Sequence, residues 1–205
     1  MGDVSADTRV RSNSRILAKA LELFAEKGYD ATSVREICEA AGVTKPTLYH
    51  FYGSKEGVYR AIVEGALERF RDEILGSLDG PGSLRERLVR MARAYIDSAA
   101  REPELARFIM ALIHMSPRSA PATDFVGVWE TILGELARTV DAAVAGGEIG
   151  TGPTHVRMLV LMGALGEAMH GYLLVGRPEL TPQLPETLVD TVLQGWATTS
   201  ASPNH

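Results

Sequence analysis

Lys45, Thr47, Tyr49 and His50 lie close together in the chain and offer an ammonium, two hydroxyls and an imidazole with no carboxylate among them. That set suits anionic oxygens and the acceptor edges of bases, and the ring of Pro46 and the methyl of Thr47 suit a thymine methyl. It does not suit nucleophilic catalysis. The single cysteine, Cys38, falls on an apolar stripe, and no serine sits in a nucleophile-elbow pattern. No glycine loop of the phosphate-cradling kind occurs. One spacing resembles metal chemistry: Glu167-Ala168-Met169-His170 is the Glu-x-x-His step of di-iron bundles. Those bundles need a second copy and further glutamates, and no second copy is present. A hydrogen-bonded pair or a ligand anchor is therefore the reading taken, with no metal, no cofactor and no enzyme expected. A helical-bundle metal enzyme is the rival class.

The basic and hydroxyl side chains need a rigid support, and the flanking residues write one. Ser33 and Glu36 form a capping box, with each side chain reaching the other's backbone N–H. Val34, Ile37, Cys38 and Ala41 then repeat at helical spacing, and Gly42 stands where a helix needs a left-handed residue to stop. Thr44 caps a second helix, and Pro46 sits in its first turn, where the missing N–H costs nothing. The reading is helix-turn-helix, with Leu48 and Phe51 turned inward. Lys45 meets a guanine edge or a phosphate. Tyr49 either donates to a phosphate or is a core aromatic, and His50 either reaches DNA or stands exposed without a role. Lys55, at the start of the next helix, and Ser33, at the start of the first, are placed for phosphates near free helix N–H groups. A helix over residues 44–51 is ~12 Å long, which suits a ~12 Å major groove.

These residues carry a resemblance to a known family. Gly42 through Tyr52, followed by Ser54-Lys55-Glu56, resembles the operator-reading segment of TetR-family repressors. Leu21 through Tyr29, then Ala31-Thr32-Ser33, resembles the first helix and turn of that family. The resemblance spans roughly residues 12–60 and implies DNA contacts at Ser33, Thr44, Lys45, Pro46, Thr47, Tyr49, His50 and Lys55. It also implies a small effector bound among the middle helices and a homodimer. Tyr95, Phe108, Met110, His114, Met115, Trp129, Met162 and Met169 are the candidate lining, with Glu167 and His170 as polar anchors. Any one of them also reads as ordinary core. Together they suit a hydrophobic or aromatic effector.

Bulk properties bound the rest. The chain has 205 residues, is 45% hydrophobic and carries a net charge of −5. Residues 1–55 hold eight Lys/Arg against seven Asp/Glu and all four lysines, so the excess negative charge lies further along. One cysteine excludes an internal disulfide framework and fits a reducing cytoplasm. Residues 1–13 read as a flexible arm, either touching phosphates through Arg9 or Arg11 or simply disordered.

Stripes of 3.6 period recur throughout, so the fold class is all-α: a three-helix helix-turn-helix head over 1–55 and a larger helical effector-binding and dimerisation domain over 56–205. The first helix is expected over Ser14–Lys27 and a fourth from Ser54 to about Leu75. Ser83 with Glu86 opens another, Pro103 another, and long helices precede Gly146 and follow Pro153. Arg177–Pro185 reads as a loop, followed by a last helix reaching Trp196. Met158–Gly176 is long enough for a membrane span, but Glu167 and His170 argue against lipid. Small residues there, including Gly163 and Gly171, fit a symmetric dimer packed as a four-helix bundle, with a monomer core helix as the alternative. The function expected is a ligand-responsive regulator, a repressor on a palindromic operator. An effector-independent DNA-binding factor is the alternative.

Overall fold

The computed structural model describes the backbone of residues 4–115 and 120–195 and the side chains of residues 12–112 and 120–195. Among these residues the structure is entirely helical. The elements are α1 (Val4–Lys27), α2 (Val34–Ala41), α3 (Lys45–Tyr52), α4 (Lys55–Leu78), α5 (Leu84–Arg101), α6 (Pro103–Met115), α7 (Phe125–Ala145), α8 (Thr154–Val175) and α9 (Leu184–Gln194).

Helix ends follow local chemistry. Both capping boxes form, at Ser33/Glu36 and Ser83/Glu86. Gly42 closes α2 at φ 63°, ψ 40°, a left-handed conformation that a side chain would resist. Three boundaries differ from the sequence reading. α1 begins at Val4, so residues 4–13 are helix and not an arm; they contain no glycine or proline, and extending an existing helix is cheap compared with nucleating one. The side chains of Arg9 and Arg11 lie outside the described residues. α4 continues to Leu78, and α9 starts at Leu184 with Pro185 in its first turn. Trp196 lies outside the described residues.

Contacts divide the chain into two units, residues 1–68 with 104–124, and residues 69–103 with 125–205. The sequence expectation cut the chain between 55 and 56. The contact division instead passes through α4 and assigns nearly all of α6 to the first unit. In that unit, α1 packs on α2 and α2 on α3. Its core holds Ile16, Ala20, Phe24, Ile37, Leu48, Val58 and Tyr59, each at most 2% exposed.

In the second unit α5 packs on α9, and α8 packs on α5, α7 and α9. Leu88, Ile132, Leu136, Leu161 and Leu165 are sealed there. α8 is long and apolar enough to cross a membrane by length and composition. One face is buried through Leu161, Met162, Leu165, Ala168, Met169 and Leu173. The other leaves Leu159 72%, Leu174 67% and Val175 72% exposed.

Candidate nucleic-acid interface

α3 presents its outer face as a row of polar and basic groups. Thr44 adopts extended backbone at φ −88°, ψ 156°, and its hydroxyl accepts from the Thr47 N–H at 3.4 Å. The two threonine hydroxyls also bond to each other at 2.9 Å. Leu48 is 0% exposed and pins the inner face, while Thr44, Lys45, Pro46, Tyr49 and His50 are exposed and Thr47 is half-buried. Tyr49 is 48% exposed, which rules out the core-aromatic reading. No acidic side chain forms an ion pair with Lys45 among the described residues. Phe51 is less buried than expected: its ring lies 5.5 Å from that of His50 and 6.2 Å from that of Tyr52.

The C-terminal end of α3 is anchored by residues that sequence reasoning passed over. The Tyr52 hydroxyl donates to the Asn13 side chain, tying α3 to α1. Burial pushes the Tyr52 phenol up to about 12. Gly57 lets α4 cross close to α3: a Cβ at this position would lie 1.9 Å from the Tyr52 carbonyl oxygen. The one available signal was a glycine in the first turn of a predicted helix.

Two residues expected at phosphates have partners within the chain. The Lys55 ammonium donates to the Tyr29 carbonyl at 2.8 Å and the Thr32 carbonyl at 2.9 Å. It also sits 4.1 Å above the Tyr29 ring. The physical reason is the turn after α1, whose carbonyls have no helical partner and collect at the start of α4. At the start of α2, the Ser33 N–H already donates to Glu36 at 2.8 Å. Lys27 bonds the same carboxylate at 2.8 Å. The bonds from Lys27, then those from Ser33, hold the Glu36 carboxyl down at about 2. Ser33 and Lys27 thus share the Glu36 carboxylate at the start of α2.

The residues expected to line an effector site are spread over both units. Phe108 belongs to the first, with its ring 6.1 Å from that of Tyr59, and Met110 lies in the same unit. Tyr95, Trp129, Met162, Met169, Glu167 and His170 belong to the second. There the Tyr95 ring meets Phe70 at 5.5 Å edge-on, and burial raises its hydroxyl. Trp129 stacks on Phe125 at 6.2 Å. Met162 and Met169 are buried. Glu167 is on the exposed face of α8 with Gly163, and His170 is half-buried, so helical spacing puts Glu167 away from the two methionines. The side chains of His114 and Met115 lie outside the described residues. A groove of about 570 Å³ runs along α5 between Arg85, Arg90, Arg93 and Glu186, and none of the expected effector residues lines it. No cluster of metal-ligating side chains occurs among the described residues.

Residues 16–62, which contain α2, α3 and the start of α4, match the sequence model of the family described as bacterial regulatory proteins, tetR family. Over these residues the chain is similar to that family. It is 30% identical over 92 residues to the HTH-type transcriptional regulator YezE of Bacillus subtilis, a match covering 45% of this chain and 47% of that protein. It is 37% identical over 99 residues to the HTH-type transcriptional repressor KstR2 of Rhodococcus jostii, covering 45% and 48%. These matches thus span about half the length of the curated relatives. The fold is similar to a TetR family transcription regulator from Marinobacter aquaeolei, with a TM-score of 0.70 at 23% identity over 94% of this chain and 98% of that one. It is also similar to SmeT in its triclosan complex, with a TM-score of 0.65 at 22% identity over 92% and 93%.

Proposed function

We propose that this chain is a TetR-family member, a cytoplasmic, sequence-specific transcription repressor that binds a near-palindromic operator as a symmetric dimer and is released by a small hydrophobic effector. The observation that carries the reading is the outer face of α3. It exposes Lys45, Pro46, Tyr49 and His50 on a helix capped at Thr44 and pinned by buried Leu48. A short rigid helix with its basic group at the N-terminal end is what a major groove admits.

The exposed apolar face of α8 supports the dimer: Val156, Leu159, Val160, Leu174 and Val175 would leave water when a second copy covers them. We assign effector binding and dimerisation to residues C-terminal to the head. The name of KstR2, a transcriptional repressor, supports the sign of regulation, and the SmeT–triclosan complex supports a small-molecule effector. A hundredfold release from the operator requires ~2.7 kcal/mol of differential effector binding, within the usual range of allosteric coupling.

Selection of bound sites from random duplex DNA tests the reading. The expected product is an inverted repeat whose half-site centres are ~34–36 Å apart or a multiple of that. Enrichment of no sequence, or of a single unrepeated half-site, overturns it.

A further inference from the structure

We propose that Lys55 is a positioning residue for operator binding, acting through the turn that launches α2 and α3 and not through a phosphate. The inference rests on the reading that α3 lies on DNA. Residues 33–54 leave the molecule at Thr32 and return at Lys55, and the ammonium joins the two ends. It bonds the Thr32 carbonyl at 2.9 Å across a sequence separation of 23 residues, and the Tyr29 carbonyl at 2.8 Å. This cross-link joins the entry and exit of the helix-turn-helix hairpin, beside the packing of α2 on α1 and the Tyr52–Asn13 bond.

The turn it holds is built to receive it. Thr32, 1% exposed, donates its hydroxyl to the Gly28 carbonyl at 2.9 Å and also bonds the Leu23 carbonyl at 3.2 Å. That leaves the Tyr29 and Thr32 carbonyls facing α4. The Tyr29 ring beneath the ammonium is itself wedged 5.1 Å from Tyr59 and 5.6 Å from Phe24. A cation over an aromatic face, with two carbonyl acceptors, is held by attraction from three sides. The next residue after Thr32 is Ser33, the cap of α2, so any loosening of this turn tilts α2 and carries α3 with it.

A phosphate contact and a positioning role differ in their salt dependence. Removing a phosphate contact lowers the slope of log K against log salt by about one, on specific and nonspecific DNA alike. Removing a positioning group weakens the specific complex and leaves the slope unchanged. The experiment compares wild type with Lys55→Met and Lys55→Arg on the selected operator and on unrelated duplex DNA across a salt series. Hydrogen exchange of the α3 amides is followed in parallel. Lys55→Met is expected to lose at least tenfold in operator affinity at constant slope, with little change on unrelated DNA and faster exchange in α3. Lys55→Arg, which keeps charge and donors, is expected to recover most of the affinity. Should Lys55→Met fail to fold, Lys55→Gln carries the same measurements. A slope lowered by about one with equal loss on both DNAs makes Lys55 a phosphate ligand and overturns the proposal, as does unchanged affinity. A wild-type protein that selects no sequence removes the underlying reading instead, which separates the two failures.

Discussion

Replacing Gly57 by alanine tests how α3 is held against its neighbour. The added methyl would lie 1.9 Å from the Tyr52 carbonyl oxygen and 3.0 Å from its carbonyl carbon. Reaching even 3.0 Å from that oxygen requires a movement of 3.0 − 1.9 = 1.1 Å. The obstacle is backbone at the last residue of α3, so no rotamer change relieves it. Two effects oppose one another. Alanine is the better helix former by ~1 kcal/mol, whereas overpacking costs ~1–3 kcal/mol and here belongs at the upper end. The net expectation is a loss of about 2 kcal/mol in the stability of the head. Because α3 moves by about an ångström relative to α4, operator affinity should fall more than tenfold, and affinity for unrelated DNA much less. Gly76→Ala is the internal control: it lies in the same helix, with nothing within 4 Å of the added Cβ. It should gain up to ~1 kcal/mol. The assay is urea denaturation followed by hydrogen exchange in α1–α3, with operator binding alongside. If the two variants behave alike, the close approach of α4 to α3 has no consequence and the reasoning is wrong.

Lys45→Ala should lower the slope of log K against log salt by about one if its ammonium meets a phosphate; a lost sequence preference at constant slope instead moves it to base reading. Replacing Leu159 and Leu174 together by glutamate should leave each unit folded, since both side chains are more than half exposed, and should shift sedimentation to the monomer. A dimer that survives the double change refutes α8 as its surface. Glu36 titrates at about 2 when folded against an ordinary 4.5, so it supports stability above about pH 4.5 and loses that support as pH falls toward 2. Melting curves of wild type should show this acid loss, and those of Glu36→Gln should lack it. Tyr52 has the opposite sense: its phenol titrates at about 12 against an ordinary 10.0, so its support is complete below about pH 10 and disappears as pH climbs to 12. Tyr52→Phe should remove that alkaline component from the denaturation profile, and an unchanged profile would falsify the assignment.

The parts of the head that read correctly from the sequence are those written within a few residues. The Ser33–Glu36 box, the Gly42 stop, and Thr44 with Pro46 are contacts over three or four positions, and each forms as expected. Leu48 was legible as an inward residue because it shares helical spacing with Phe51, and it is 0% exposed. Lys55, Glu167 and Phe108 were not legible in the same way. Each lies on a correctly expected helix, yet what it touches depends on a distant segment: the turn at Tyr29–Thr32, the uncovered side of α8, and Tyr59 on α4.

Sequence alone thus determined that two short capped helices stand before a series of long ones, because capping, glycine stops and apolar period are decided by neighbours along the chain. Only the tertiary structure decided which end of Lys55 faces what, why Gly57 must lack a side chain, and where the first unit ends. The Lys55 contact joins backbone 23 residues apart, the Gly57 contact depends on the angle at which α4 leaves α3, and no periodicity in one segment encodes the carbonyls of another.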